Sequence, residues 1–199
     1  MRGLHTLKIF NNKFFRFFKF GYIGGHNFIS LRALVERGLE LTLGDAAYIG
    51  AYAKLSSRGH GSIDIGNNTR IDDFVVLETR RGGFIKIGKD SGINAFSVIY
   101  GSGGVTIGDH TRIASHTVIV ASNHNFDDVT KNIYEQGVSK KGIVIGNDVW
   151  IGAGVRILDG VHIGDHTVIG AGSVVTKDIP PNSVAVGVPA RVMRQRGEK

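Results

Sequence analysis

Eight histidines are the side chains of this sequence best able to move a proton near neutral pH, and their positions separate them. His110 and His166 occupy the same place in two Gly-Asp-His-Thr turns, which assigns them to corners of a repeat. His5 and His26 fall in a basic leader, and His60 sits in a short insertion. His162 lies between paired aliphatic residues and should face outward. His124 stands apart, in Ser122-Asn-His-Asn125, five residues after Ile119 and at the root of a 20-residue break in a regular pattern. An imidazole there suits a general base; a structural loop histidine is the other reading, and His116 is the next candidate for the base. Asn94 directly follows Ile93 at a place where most equivalent positions hold Gly or Asp. Its amide can both donate and accept hydrogen bonds; an ordinary turn asparagine is the alternative. The chain has no Cys, so a thiolate nucleophile, a thiolate metal site and a disulfide framework are excluded.

The elements that must position these residues follow from a six-residue period. From Leu41 onward, six segments begin alike, as in Leu41-Thr-Leu-Gly44, Ile63-Asp-Ile-Gly66 and Val161-His-Ile-Gly164. Aliphatic residues then recur in steps of six: 43, 49, 55; 65, 71, 77; 87, 93, 99; 107, 113, 119; 145, 151, 157; 163, 169, 175. All eighteen positions are Ile, Leu or Val. Six is neither a helical period nor simple strand alternation. Each hexad reads as a short strand with its aliphatic residue pointing inward, followed by a Gly, Asp or Asn that lets the chain turn. Three hexads close one triangular coil, and coils stack because no single coil can bury its own apolar face. The predicted architecture is all-β: a parallel β-helix of about six coils, roughly 29 Å tall at ~4.8 Å per coil.

The breaks in the period carry as much information. Inserts of 4, 4, 2, 20 and 0 residues separate successive triplets, and all follow the third hexad. They share one phase, so they should leave the prism at one corner, where function in repeat proteins concentrates. The longest insert, 121–142, comes after the fourth triplet and starts with the His124 region.

Composition agrees with a folded repeat. The 199 residues include 29 Gly and only 3 Pro, which excludes collagen, and 42% hydrophobic residues exclude a flexible linker. Of the net charge of +7, +5 lies in residues 1–40, which also hold seven of the eleven Phe. A polyanion-binding surface would spread its cations over the folded body, so nucleic acid is not an expected partner. Residues 7–20 place Leu7, Phe10, Phe14 and Phe17 at helical spacing among Lys and Arg. Such a helix either packs on its own domain or a neighbouring subunit, or makes peripheral contact with an anionic membrane. Neither a spanning run of about 18 apolar residues nor a signal-peptide pattern is present, so the expected location is the cytoplasm, with the inner face of the membrane as an option. The predicted division is a leader over 1–40 and a β-helix domain over 41–199, with the insert at 121–142 and a tail at 176–199.

The hexads, closed by Val174-Val-Thr-Lys-Asp-Ile-Pro-Pro181 and Gly187-Val-Pro-Ala-Arg191, resemble the hexapeptide-repeat acyltransferases over about 40–195. The likeness is densest over Ile143–Arg194 and is greatest to the galactoside, maltose and nodulation-factor acetyltransferases and to the O-acetyltransferases of lipopolysaccharide and capsule. It implies a left-handed β-helix, a homotrimer, acetyl-CoA as donor and active sites between subunits. The basic leader does not match the acidic helical leader of the galactoside and maltose enzymes. That departure points to a bulkier glycan or a lipid-linked acceptor, as in surface-polysaccharide biosynthesis.

The same resemblance implies roles. His124 would be the catalytic base and Asn94 the acceptor-binding residue. The amide of Ala153 would lie near the thioester and that of Ala171 along the pantetheine, with Trp150 flanking that arm or packing between subunits. Thr176 and Lys177 would face the coenzyme A phosphates, and Arg191 and Arg194 the adenine end; each of these cations could equally be solvated surface charge. His110, His116 and His124 lack the close five-residue step of the zinc sites in β-helical carbonic anhydrases, so no metal is expected. The expected activity is acetyl-CoA-dependent O-acetylation of a sugar hydroxyl by direct transfer. The rival readings are an aminosugar N-acetyltransferase, a streptogramin- or chloramphenicol-type antibiotic acetyltransferase, and a non-catalytic β-helical scaffold.

Overall fold

The computed structural model of the chain describes residues 26–198. The helical reading of residues 7–20, and with it the membrane contact, lies outside the described residues. The rest forms a triangular prism with three parallel walls. The first wall runs from Phe28–Ile29 through Gly92–Ile93 and Trp150–Ile151 to Ser183–Gly187, and Ala190–Gln195 folds back antiparallel on its last strand. The second runs from Leu34–Val35 through Lys54–Arg58, Val76–Arg80, Val98–Tyr100 and Val118–Val120 to Val174–Val175. The third runs from Glu40–Leu43 to His162–Ile163, where Ile179 adds a last bridge.

All eighteen aliphatic positions of the hexads point into one continuous core, and none is more than 4% exposed. The register explains this: Ile93 lies under Ile71 and over Ile113, which lies over Ile151. Each wall therefore stacks like on like, and the branched side chains interdigitate down the axis.

The prism begins earlier than residue 41. Phe28–Ile29 pairs with Tyr48–Ile49, Leu34–Val35 pairs with Lys54–Leu55, and Phe28 stacks on Tyr48 at 5.0 Å between ring centroids. Ile29 and Val35 keep the six-residue step upstream, with Leu43 on the third wall completing their coil, but Ser30 stands where most later coils carry Gly, Asp or Asn at the end of the first wall. Among the described residues before 40, Phe28–Ile29 and Leu34–Val35 thus already pair in the stack. Counting this extra coil as coil 1, coil 4 holds Ile93, Ile99 and Ile107, coil 5 holds Ile113, Ile119 and Ile145, and coil 7 holds Ile169, Val175 and Ile179. The long insert leaves coil 5.

The corners account for the Gly-Asp and Gly-Asn pairs. At the edge between the third and first walls, the Asn147 carboxamide oxygen accepts from the Asp109 N–H at 2.8 Å, and the Asn67 oxygen accepts from the Asp45 N–H at 2.8 Å. A Cβ on Gly108 would lie 2.6 Å from that Asn147 oxygen, so the residue before the stacked Asx must be Gly. Inside the same corners, the buried Thr69, Ser91 and Thr111 hydroxyls donate to the carbonyls of Gly88, Gly108 and Gly146 at 2.7–3.0 Å, satisfying groups that water cannot reach.

Candidate active site

Two edges of the prism carry the residues singled out above. The edge between the first and second walls is termed the first edge. Its turns place Asn94 on coil 4, Ala153 on coil 6 and Ala171 on coil 7, the first and last of them following the strands that end at Ile93 and Ile169. The position three places after each inward aliphatic residue lies in the left-handed region and forms a column: Tyr52, Phe74, Phe96, His116, Gly154 and Gly172. The four rings stack face to face, with centroids 4.9, 5.0 and 5.2 Å apart and interplanar angles of 13°, 6° and 6°. Left-handed backbone is uncommon for bulky residues; here the stacked rings, each favourable by about 1 kcal/mol, offset it. Arg32 caps the upper end, its guanidinium 5.8 Å from the Tyr52 centroid. Below His116 the column ends in glycine, and a Cβ on Gly154 or Gly172 would meet nothing within 4 Å. Coils 6 and 7 are therefore open along this edge, with room for a thin flexible chain to lie against the backbone.

The second edge, between the second and third walls, is where every insert leaves. Its long arm, 121–142, is ordered by its own contacts. Asn123–His124 pairs antiparallel with Val138–Ser139, and Ile133–Gln136 forms one 3-10 turn. Gln136 ties the arm across itself, accepting from the Asp128 N–H at 3.0 Å and donating to the Asp128 and Lys131 carbonyls. Hydrogen bonds from Lys131 and then Thr130 hold the Asp128 carboxyl below the usual carboxylate range. At the root, Asp159 accepts from the Lys141 and Gly142 N–H groups at 3.0 Å. His124 is exposed on this ribbon, in register with Val138, and its ring has no hydrogen-bond partner among the described residues. Phe126, Val129, Ile133 and Tyr134 are also exposed on the arm, at 55–95%. Two coils below, Thr176 and Lys177 are exposed at the same edge.

The remaining candidates lie on the first wall beyond the first edge. Trp150 is 59% exposed on its outer face, in register with Arg112 and Val168. Arg191 and Arg194 stand on the returning C-terminal strand, opposite Val186 and Val184. That strand is tethered by Arg196, which donates to the Asp148 carboxylate at 2.6 Å. His166 also bonds Asp148, at 3.0 Å, and these two partners, His166 first, hold the Asp148 carboxyl below its usual range.

One protomer therefore does not bring its candidates together. Asn94, Ala153, Ala171, Trp150, Arg191 and Arg194 face one side, whereas His124, Thr176 and Lys177 lie across the second wall. At ~3.3 Å per residue, the two edges are on the order of 15–20 Å apart. Yet the two half-sites share one vertical order, with the polar groups suited to an acceptor on coils 4 and 5 and those suited to a donor on coils 6 and 7. Sequence reasoning missed the ring column, although an aromatic residue three places after Ile49, Ile71 and Ile93 and a His after Ile113 spell it out. Among the described residues no group of His, Asp and Glu is arranged to hold a metal ion, and no helix is long and apolar enough to cross a membrane.

Comparison with known proteins gives a consistent picture. Residues 142–177 match the model described as "Bacterial transferase hexapeptide (six repeats)". The galactoside O-acetyltransferase of Escherichia coli K12 is 44% identical over 96 residues, 48% of this chain and 46% of that enzyme, so the chain spans about half the length of this relative. The dTDP-4-amino-4,6-dideoxy-D-glucose acyltransferase of Escherichia coli is 35% identical over 152 residues, 73% of this chain and 78% of that protein. Among solved structures, a variant of AntD, an N-acyltransferase from Bacillus cereus in complex with dTDP and coenzyme A, superposes with a TM-score of 0.62 at 29% identity, covering 82% of this chain and 84% of AntD.

Proposed function

Because the chain belongs to the hexapeptide-repeat transferases, we propose that it transfers an acetyl group from acetyl-CoA to a hydroxyl of a sugar that is part of, or a precursor to, a larger glycan. The observation that carries this reading is the matched vertical order of the two half-sites. A cyclic homotrimer joins unlike surfaces of neighbouring copies, so the second edge of one protomer can face the first edge of the next. His124 then stands opposite Asn94 of the neighbouring copy, while Lys177 and Thr176 stand opposite the open glycine edge beside Ala153 and Ala171.

In this arrangement Asn94 holds the acceptor and His124 takes the proton from its hydroxyl, which is a poor nucleophile without a base. The oxygen attacks the thioester carbonyl directly. The Ala153 N–H stabilises the oxyanion, and the tetrahedral intermediate collapses as the C–S bond breaks. The proton held on His124 goes to the departing thiolate. Lys177, Arg191 and Arg194 neutralise donor phosphates by charge and geometry. No covalent enzyme intermediate is formed.

A second reading, N-acylation of an aminosugar, is favoured by one observation: the relatives that this chain matches along most of their length act on, or were solved with, a dTDP-linked sugar or dTDP. Incubation with labelled acetyl-CoA, neutral glycosides and dTDP-aminosugars decides between the two. The expected product is an ester, which mild base or hydroxylamine cleaves. Label that resists both would be an amide and would establish N-acylation, and coenzyme A released with no labelled acceptor would contradict sugar acylation altogether.

A further inference from the structure

Glu78 is the one deeply buried carboxylate among the described residues, with a side chain only 5% exposed. It lies on the second wall in coil 3, where the first two short inserts lengthen the strands Lys54–Arg58 and Val76–Arg80 before the second edge turns. Three cations converge on it. Arg80 donates from Nε to one Glu78 oxygen at 2.8 Å, its terminal nitrogen is 2.8 Å from the same oxygen, Arg58 Nε stands 3.7 Å away, and Lys54 Nζ stands 3.8 Å away. Arg81 occupies the adjoining turn, exposed and left-handed. The other acid nearby, Glu36, is used by the Ser57 N–H, whose bond to it is 2.9 Å. Three cations thus share the one buried carboxylate of this corner.

One carboxylate cannot saturate this set. An Arg has five N–H donors and a Lys has three, against about four lone-pair sites on Glu78. The side chains of Lys54, Arg58 and Arg80 remain 41–63% exposed, so their unused donors reach solvent at the surface of the edge. Beneath them, Ser56 stands in register with Glu78, and its hydroxyl is buried with no hydrogen-bond partner among the described residues. Burying a carboxylate under three long cations, beside an unsatisfied hydroxyl, holds guanidinium groups in place before any ligand arrives. That is the arrangement a phosphate requires. The corner lies on the same edge as the His124 arm and two to three coils above it, about 10–14 Å at ~4.8 Å per coil. This matches the reach of a sugar ring joined to a diphosphate.

We infer that Lys54, Arg58 and Arg80, preset by Glu78, bind the phosphate or diphosphate of an acceptor whose sugar end reaches His124, so that the acceptor is a glycosyl phosphate and not a free sugar. This deepens the acyl-transfer reading and rests on it for the identity of the reacting end. Nucleotide-linked and lipid-linked sugars share this chemistry, and their carriers are separable by experiment.

The test is titration calorimetry with coenzyme A at saturation, so that the donor groove is filled, using dTDP, thymidine and geranyl diphosphate as probes. The wild-type chain should bind a diphosphate probe at least about tenfold more tightly than thymidine, with affinity falling as salt is raised. Arg58→Gln should weaken that binding, and Arg58→Gln/Arg80→Gln should abolish the preference while coenzyme A affinity stays unchanged. The single variant, whose side chain is largely exposed, keeps the test valid if the double variant fails to fold. Tighter binding of dTDP would identify a nucleotide carrier, and tighter binding of geranyl diphosphate a lipid carrier. Equal affinity for thymidine and both diphosphates, or folded variants that bind diphosphate like the wild type, would overturn the inference. Because the titration needs no turnover, a chain that binds diphosphate here yet acylates no sugar would sink the acyl-transfer reading and leave the anion site standing.

Discussion

Replacing His124 with Ala should lower kcat for acetyl transfer by about 10²–10⁴-fold, the usual contribution of a positioned general base. The side chain is exposed, and its ring bonds to no other described residue, so its loss removes no structural contact. The arm is held instead by Gln136, Asn125 and Asp159. The KM for acetyl-CoA should therefore stay within about twofold, as for an interaction made only in the transition state. A parallel His116→Ala variant separates the two imidazoles. His116 sits across the second wall, stacked on Phe96, and its loss should cost far less turnover. If His116→Ala abolishes turnover while His124→Ala retains it, the roles are reversed.

The largest expected effect on stability comes from the axis. Ile113 is 1% exposed and lies between Ile93 and Ile151, each fixed by parallel pairing on both sides. Neighbours pinned in this way cannot collapse into the space left by Ile113→Ala. The variant should lose about 2–5 kcal/mol, at the upper part of the range for buried large-to-small changes. That corresponds to a fall in Tm on the order of 5–15 °C for a chain of this size. Ile113→Val should cost only about 0.5–1.5 kcal/mol. Thermal unfolding followed by circular dichroism checks both, and an Ile113→Ala variant that melts with the wild type would mean the core is not one continuous column.

The walls are legible in the sequence because each hexad turns an aliphatic residue inward at the same step, and most third-wall hexads follow it with a Gly-Asx corner. Where the corner chemistry changes, the pattern no longer shows the coil. Ile29 and Val35 keep the step, but Ser30 replaces the Gly, Asp or Asn that most later coils carry after the first wall, so coil 1 reads as part of the leader. The phase of the inserts correctly places 121–142 at one corner, whereas its pairing of His124 with Val138 depends on side-chain bonds within the arm that carry no period. The Glu78 cluster is invisible in the sequence for a related reason. Lys54, Arg58, Glu78 and Arg80 are scattered over 27 residues and meet only through the register of neighbouring coils. The candidate residues themselves stand out by motif, but a motif states no edge. Only the stacked coils reveal that Asn94 and His124 lie on opposite sides of one wall.

That separation is the central claim, and a mixing experiment tests it most directly. His124→Ala and Asn94→Ala chains, each inactive alone, are unfolded together in equal amounts and refolded, and acetyl transfer is then measured. If each site takes His124 from one protomer and Asn94 from the next, random trimers regain about a quarter of wild-type activity, since half of each edge is intact and the two are drawn independently. Mixed trimers that form but stay as inactive as either parent would place both residues in one protomer's site and contradict the account.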